Sequence, residues 1–115
     1  MYLDWAVELQ PSCVQPIGDY ILIQIEPPPK KDIETPYEDI KYYKKPDLAK
    51  VIRVSKDCCK CLVNKWVVLD EFATLIFIKD PDDTGTLYAL VSRYDISAVS
   101  DTKPNISIEK LEYRL

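Results

Sequence analysis

The chain has 115 residues, 47% of them hydrophobic, and a formal net charge of −4. That is enough apolar chain for one core and too little for two comfortable domains. The acidic balance argues against a duplex-binding surface, which needs concentrated Lys and Arg, and the absence of histidine removes the commonest general base.

Taken in order, residues 1–15 read as an N-terminal arm. Met1-Tyr2-Leu3-Asp4-Trp5 has no basic segment followed by an apolar run, so it is not read as a secretory signal. Tyr2, Leu3, Trp5, Val7 and Leu9 give the arm apolar side chains that a free tail would leave in water. Tyr2, Leu3 and Trp5 are therefore candidate contacts to a subunit or partner.

The first strand is expected over Tyr20–Ile25, where Ile21, Ile23 and Ile25 recur with period two and are β-branched. Pro27-Pro28-Pro29 cannot join a central ladder, so the strand must stop at Glu26. Residues 27–47 then form a long polar loop. Its basic pairs, Lys30-Lys31 and Lys44-Lys45, lie among Asp32, Glu34, Glu38, Asp39 and Asp47, the mix expected of a solvated surface. Loops of this length in compact domains are often functional. Ile33, Tyr37, Ile40, Tyr42 and Tyr43 are its candidate partner-binding anchors, because Tyr covers apolar area at small entropic cost. The alternative is that these side chains fold back over the core.

Leu48–Val54 is the next expected strand, with Leu48, Ile52 and Val54 on one face. A turn follows that carries Cys58, Cys59 and Cys61, with Cys13 far away in sequence. Four thiolates can hold zinc in principle. The C-x2-C knuckle is missing and adjacent Cys58 and Cys59 point differently, so Cys58, Cys59 and Cys61 are weak metal candidates and reduced thiols on a turn the better reading. Trp66–Leu69, Leu75–Ile78 and Thr86–Val91 are short apolar strands. The last two form a hairpin across Asp82-Asp83-Thr84-Gly85.

In the tail, Ile108, Leu111 and Leu115 fit a helix, while Leu111, Tyr113 and Leu115 fit a strand equally well. Several short strands with few helix signals define an all-β barrel or sandwich. No run is apolar enough to cross a bilayer, since even Leu69–Ile78 is broken by Asp70, Glu71 and Thr74. No Gly-rich phosphate loop or G-x-S-x-G elbow occurs, and pairs such as Asp70-Glu71 and Asp82-Asp83 read as turn charges. The expectation is a cytoplasmic, non-enzymatic protein with no cofactor, nucleic acid or membrane partner.

Three stretches carry a resemblance. Pro16-Ile17-Gly18-Asp19-Tyr20-Ile21-Leu22-Ile23, with Glu26-Pro27 at the strand end, resembles the opening of GroES-type co-chaperonins, the phage-encoded members most closely. Val67-Val68-Leu69-Asp70-Glu71-Phe72-Ala73 resembles their strand and turn after the roof region. Tyr88 through Val99, with Asp95-Ile96 and Ala98, resembles their closing signature. The likeness spans residues 16–100. It implies a small GroES-like β-barrel domain with a loop at 27–47, followed by a C-terminal extension at 101–115.

It also implies a homo-oligomeric ring in which the first strand of one subunit meets the last strand of the next, here through Ile17, Ile21, Ile96 and Val99. The implied function is a co-chaperonin that caps a chaperonin ring through its long loop. The alternative is a phage virion structural protein, a capsid cement or neck component that reuses the barrel and has capsid proteins as partners. The setting would then be host cytoplasm or virion. Two departures stand out: the loop has no glycine, and the roof segment Lys56–Asn64 is short and rich in cysteine.

Overall fold

The computed structural model describes residues 6–25, 48–83 and 85–105. The five anchors of the long loop, Tyr2, Leu3 and Trp5 of the arm, and the ambiguous tail 106–115 all lie outside these residues. The described residues form seven strands: β1 (Ala6–Glu8), β2 (Tyr20–Ile25), β3 (Leu48–Val54), β4 (Trp66–Leu69), β5 (Ile76–Lys79), β6 (Leu87–Ser92) and β7 (Ile96–Ser100). Short 3₁₀ turns at Pro11–Cys13, Lys60–Leu62 and Arg93–Asp95 complete the regular structure, and no α-helix occurs among the described residues. The described residues are all-β, and β5 and β6 form the expected antiparallel hairpin.

All seven strands belong to one sheet, in the order β1-β5-β6-β2-β3-β4-β7. The short link from β6 to β7 forces this sheet to curl. In the strand order β2, β3 and β4 lie between them, which would put them about 19 Å apart in a flat sheet. Ser92 and Ile96 are separated by only the three residues Arg93–Asp95, and four residue steps span at most about 14 Å. Two hydrogen bonds hold the link at both ends. The Arg93 N–H donates to the Asp19 carbonyl at 2.8 Å, and the Asp70 N–H donates to the Asp95 carbonyl at 2.7 Å.

The inner face of the curl carries the main core. Ile21 and Ile23 of β2 meet Ala49, Val51 and Val54 of β3, Val67 and Leu69 of β4, and Ala89 and Val91 of β6. Burying each of the larger side chains contributes about 1.5–3 kcal/mol. Here the expected face of β3 needs correction. Leu22 pairs with Arg53 and Ile23 with Val51, so Ile52 is an extra residue in a β-bulge. The bulge shifts the alternation by one. Val54 stays with the inner core, whereas Ile52 packs on the opposite face.

That outer face is buried as well, around Leu22, Ile78 and Val14, with Ile52, Tyr88 and Leu90 packed against them. Val14 arrives because the N-terminal segment lies over this side. β1 pairs parallel with β5, and the Leu9 N–H extends the ladder to the Lys79 carbonyl at 3.2 Å. Arg53 then donates to the carbonyls of Pro11 (3.0 Å) and Val14. Gln15 Nε2 donates to the Val54 carbonyl at 3.3 Å. The side chains of Val7 and Leu9 remain about half exposed although this backbone is paired.

Candidate interaction surface

The long loop is rooted in the middle of the sheet. Ile25, the last residue of β2, pairs with Ala49 on one side and Leu87 on the other. The chain leaves there and returns at Leu48, buried beside Val68 of β4. Residues 26–47 therefore connect two adjacent antiparallel strands, a junction that two to five residues ordinarily close.

At the opposite end of β2, the turn before the strand presents Ile17, which is 77% exposed. The Tyr20 N–H donates to the Ile17 carbonyl at 3.2 Å and closes the turn. Gly18 occupies its left-handed corner at φ 63°, a conformation that side chains with a Cβ rarely adopt. Ile21 is a different case. It is fully buried, paired with Val54 and Val91 on the inner face, so its side chain has no surface to offer a neighbour.

Ile96 is half-buried against the inner core. Val99 pairs with Val67 yet is 50% exposed. Among the described residues β7 has only β4 beside it in the sheet order, as β1 has only β5. The free edge of a strand is a template for another strand. Ile17 and Val99 thus offer surface among the described contacts, Ile96 offers part of its own, and Ile21 offers none.

Two exposed aromatics were not singled out from the sequence. Phe72 is 84% exposed in the turn after β4, where the Asp70 carboxylate accepts from its N–H at 3.4 Å. Tyr94 is 70% exposed beside Arg93, whose guanidinium lies 4.9 Å from the ring centre and donates to the Tyr94 hydroxyl at 2.8 Å. That hydrogen bond, ahead of the nearby Asp19 carboxylate at 3.3 Å, raises the Arg93 pKa further above its ordinary value. Arg93 is a fixed cation that also donates to the Asp57 carbonyl at 3.4 Å. The signal for Tyr94 was its place in a short turn between two strands, where a ring cannot turn inward.

Two of the four cysteines correct the expectation of reduced thiols. Cys59 and Cys61 form a disulfide, brought within 5.2 Å (Cα to Cα) by the turn at Lys60–Leu62, a separation a disulfide can bridge. Cys58 is free and buried, receiving the Ser55 hydroxyl at 3.5 Å and facing the Gly18 carbonyl at 3.7 Å, while Cys13 is free and exposed. No group of three His, Cys, Asp or Glu side chains among the described residues is arranged to hold a metal ion. No helix there is long and apolar enough to cross a membrane. Compared with known proteins, the chain matches no family model, no curated protein and no solved structure.

Proposed function

We propose that this protein is a non-enzymatic, oligomeric protein-binding module, a GroES-type barrel that caps a chaperonin ring through residues 27–47. The observation that carries the reading is the junction of β2 and β3. Two strands in direct antiparallel register are connected by a proline-rich segment far longer than the junction needs. Its apolar anchors, Ile33, Tyr37, Ile40, Tyr42 and Tyr43, suit a groove on a larger partner. Assembly of the barrel into a ring multiplies a weak contact by avidity. The curled sheet with a core on its inner face supports a barrel of this type.

Co-sedimentation with a chaperonin ring and nucleotide tests the reading. The intact chain travels with the ring. Failure to bind with residues 27–47 intact would count decisively against it.

A virion structural role on the same barrel is the second reading, favoured by the position of β1 and β7 at the edges of the sheet among the described residues, which neighbours in a shell could extend. Mass spectrometry of intact particles decides it, since a shell component is present in them and a chaperonin cap is not.

A further inference from the structure

We propose that Cys59-Lys60-Cys61 is a solvent-facing thiol–disulfide exchange site, reduced by low-molecular-weight thiols and reoxidised by their disulfides. The bond joins residues two apart within a single turn. Disulfide stabilisation in the chain-entropy account grows with the length of the loop closed, so this one constrains little of the unfolded chain. It ties no strand to another. A staple for the fold is a poor description of it.

Placement points to exchange instead. Cys59 and Cys61 are both exposed, whereas the adjacent Cys58 is withdrawn into the inner core and held between Ser55 and Gly18. An attacking thiolate therefore reaches the bond without opening the barrel, and Cys58 stays out of the exchange. The two sulfurs also differ. The Cys61 N–H is directed at Cys59 Sγ at 3.3 Å, a donor for the thiolate that appears there when the bond opens, with the cationic Lys60 between the pair.

Cys59 is accordingly the leaving group. A small thiolate attacks Cys61 Sγ, forming a mixed disulfide and breaking the bond to Cys59, whose sulfur takes the electron pair. A second small thiol attacks the outer sulfur of the mixed disulfide, releasing the oxidised small disulfide and the Cys61 thiolate. The two protons of the small thiols end on Cys59 and Cys61, and the reverse sequence reoxidises the pair.

The test uses the full chain equilibrated in buffers of reduced and oxidised glutathione, quenched with acid, alkylated with N-ethylmaleimide and mapped by mass. Cys59 and Cys61 gain their two labels together as the buffer becomes reducing, circular dichroism stays unchanged, and Cys58 is labelled only after denaturation. A Cys59→Ser variant captures one glutathione on Cys61 in the oxidised buffer. Labels on Cys59 and Cys61 that ignore the glutathione ratio would overturn the proposal. So would a reduction that unfolds the protein, since the bond would then be a structural staple.

Discussion

At the scale of single residues, burial separates the side chains that hold the fold from those available to a neighbour. Ile21 lies in the inner core with no exposed surface. Ile21→Ala should cost about 2–5 kcal/mol through lost burial and the cavity left behind, read as a lower midpoint in urea unfolding. Ile17→Ala, on an exposed turn, should stay within about 0.5 kcal/mol of the parent. The same substitution should weaken self-association, measured by sedimentation velocity, if the turn before β2 sits in a subunit contact.

Arg53 is the third informative residue. Its guanidinium holds the carbonyls of Pro11 and Val14 across the outer face. Arg53→Met keeps much of the stem and removes the donors; the Pro11 carbonyl keeps the Val14 N–H, while the part-buried Val14 carbonyl loses its Arg53 partner, at a cost of about 1–3 kcal/mol. Hydrogen exchange should then accelerate at Leu9 and Val14 while β2 and β6 stay protected. Equal protection in parent and variant would show that β1 and Val14 hold the segment unaided.

Among the elements, β2 is the axis, hydrogen-bonded to β3 on one side and β6 on the other. How much of this could be read in advance depended on local pattern. β2, β3 and β4 have the bounds their apolar runs foretell, because β-branched residues at period two leave few alternatives. The bulge at Ile52 was not legible. Val51, Ile52 and Val54 are all apolar, so either phase of the alternation satisfies the composition, and only the pairing with Leu22 and Ile23 selects one. β1 escaped notice because Ala6-Val7-Glu8 is short and gains its order from a distant parallel partner, β5.

The Cys59–Cys61 bond was equally hidden. Its formation depends on the compact turn at Lys60–Leu62, which sequence spacing does not announce. The candidate surface was legible only in part. Ile17 and Val99 are exposed, whereas Ile21 lies in the core because its alternation with Ile23 and Ile25 is the very pattern that defines an inner face.

The junction between β2 and β3 yields a prediction at this scale. Replacing residues 27–47 with an Asn-Gly turn should preserve the sheet, because Ile25 and Ala49 are already paired in antiparallel register. Circular dichroism and the urea midpoint should remain near the parent values, with any gain small because loop entropy changes slowly with length. Collapse of the sheet would mean that the segment is part of the core.

For the whole molecule, one sheet curls through the short link at Arg93–Asp95 around an inner core, and the N-terminal segment covers part of its outer face. Among the described residues β1 and β7 stand at the two edges of the sheet with one neighbour each, a feature an assembling subunit can use. Native mass spectrometry should accordingly give a multiple of the 13.3 kDa chain. Lysine placed at Val99 on the exposed edge should shift the distribution towards monomer without unfolding it.

The most direct test of the central claim compares the intact chain with the turn-replaced variant for co-sedimentation with a chaperonin ring and nucleotide. Both chains should assemble alike, and only the intact one should travel with the ring. Equal binding by the variant, or no binding by the intact protein, would contradict the claim.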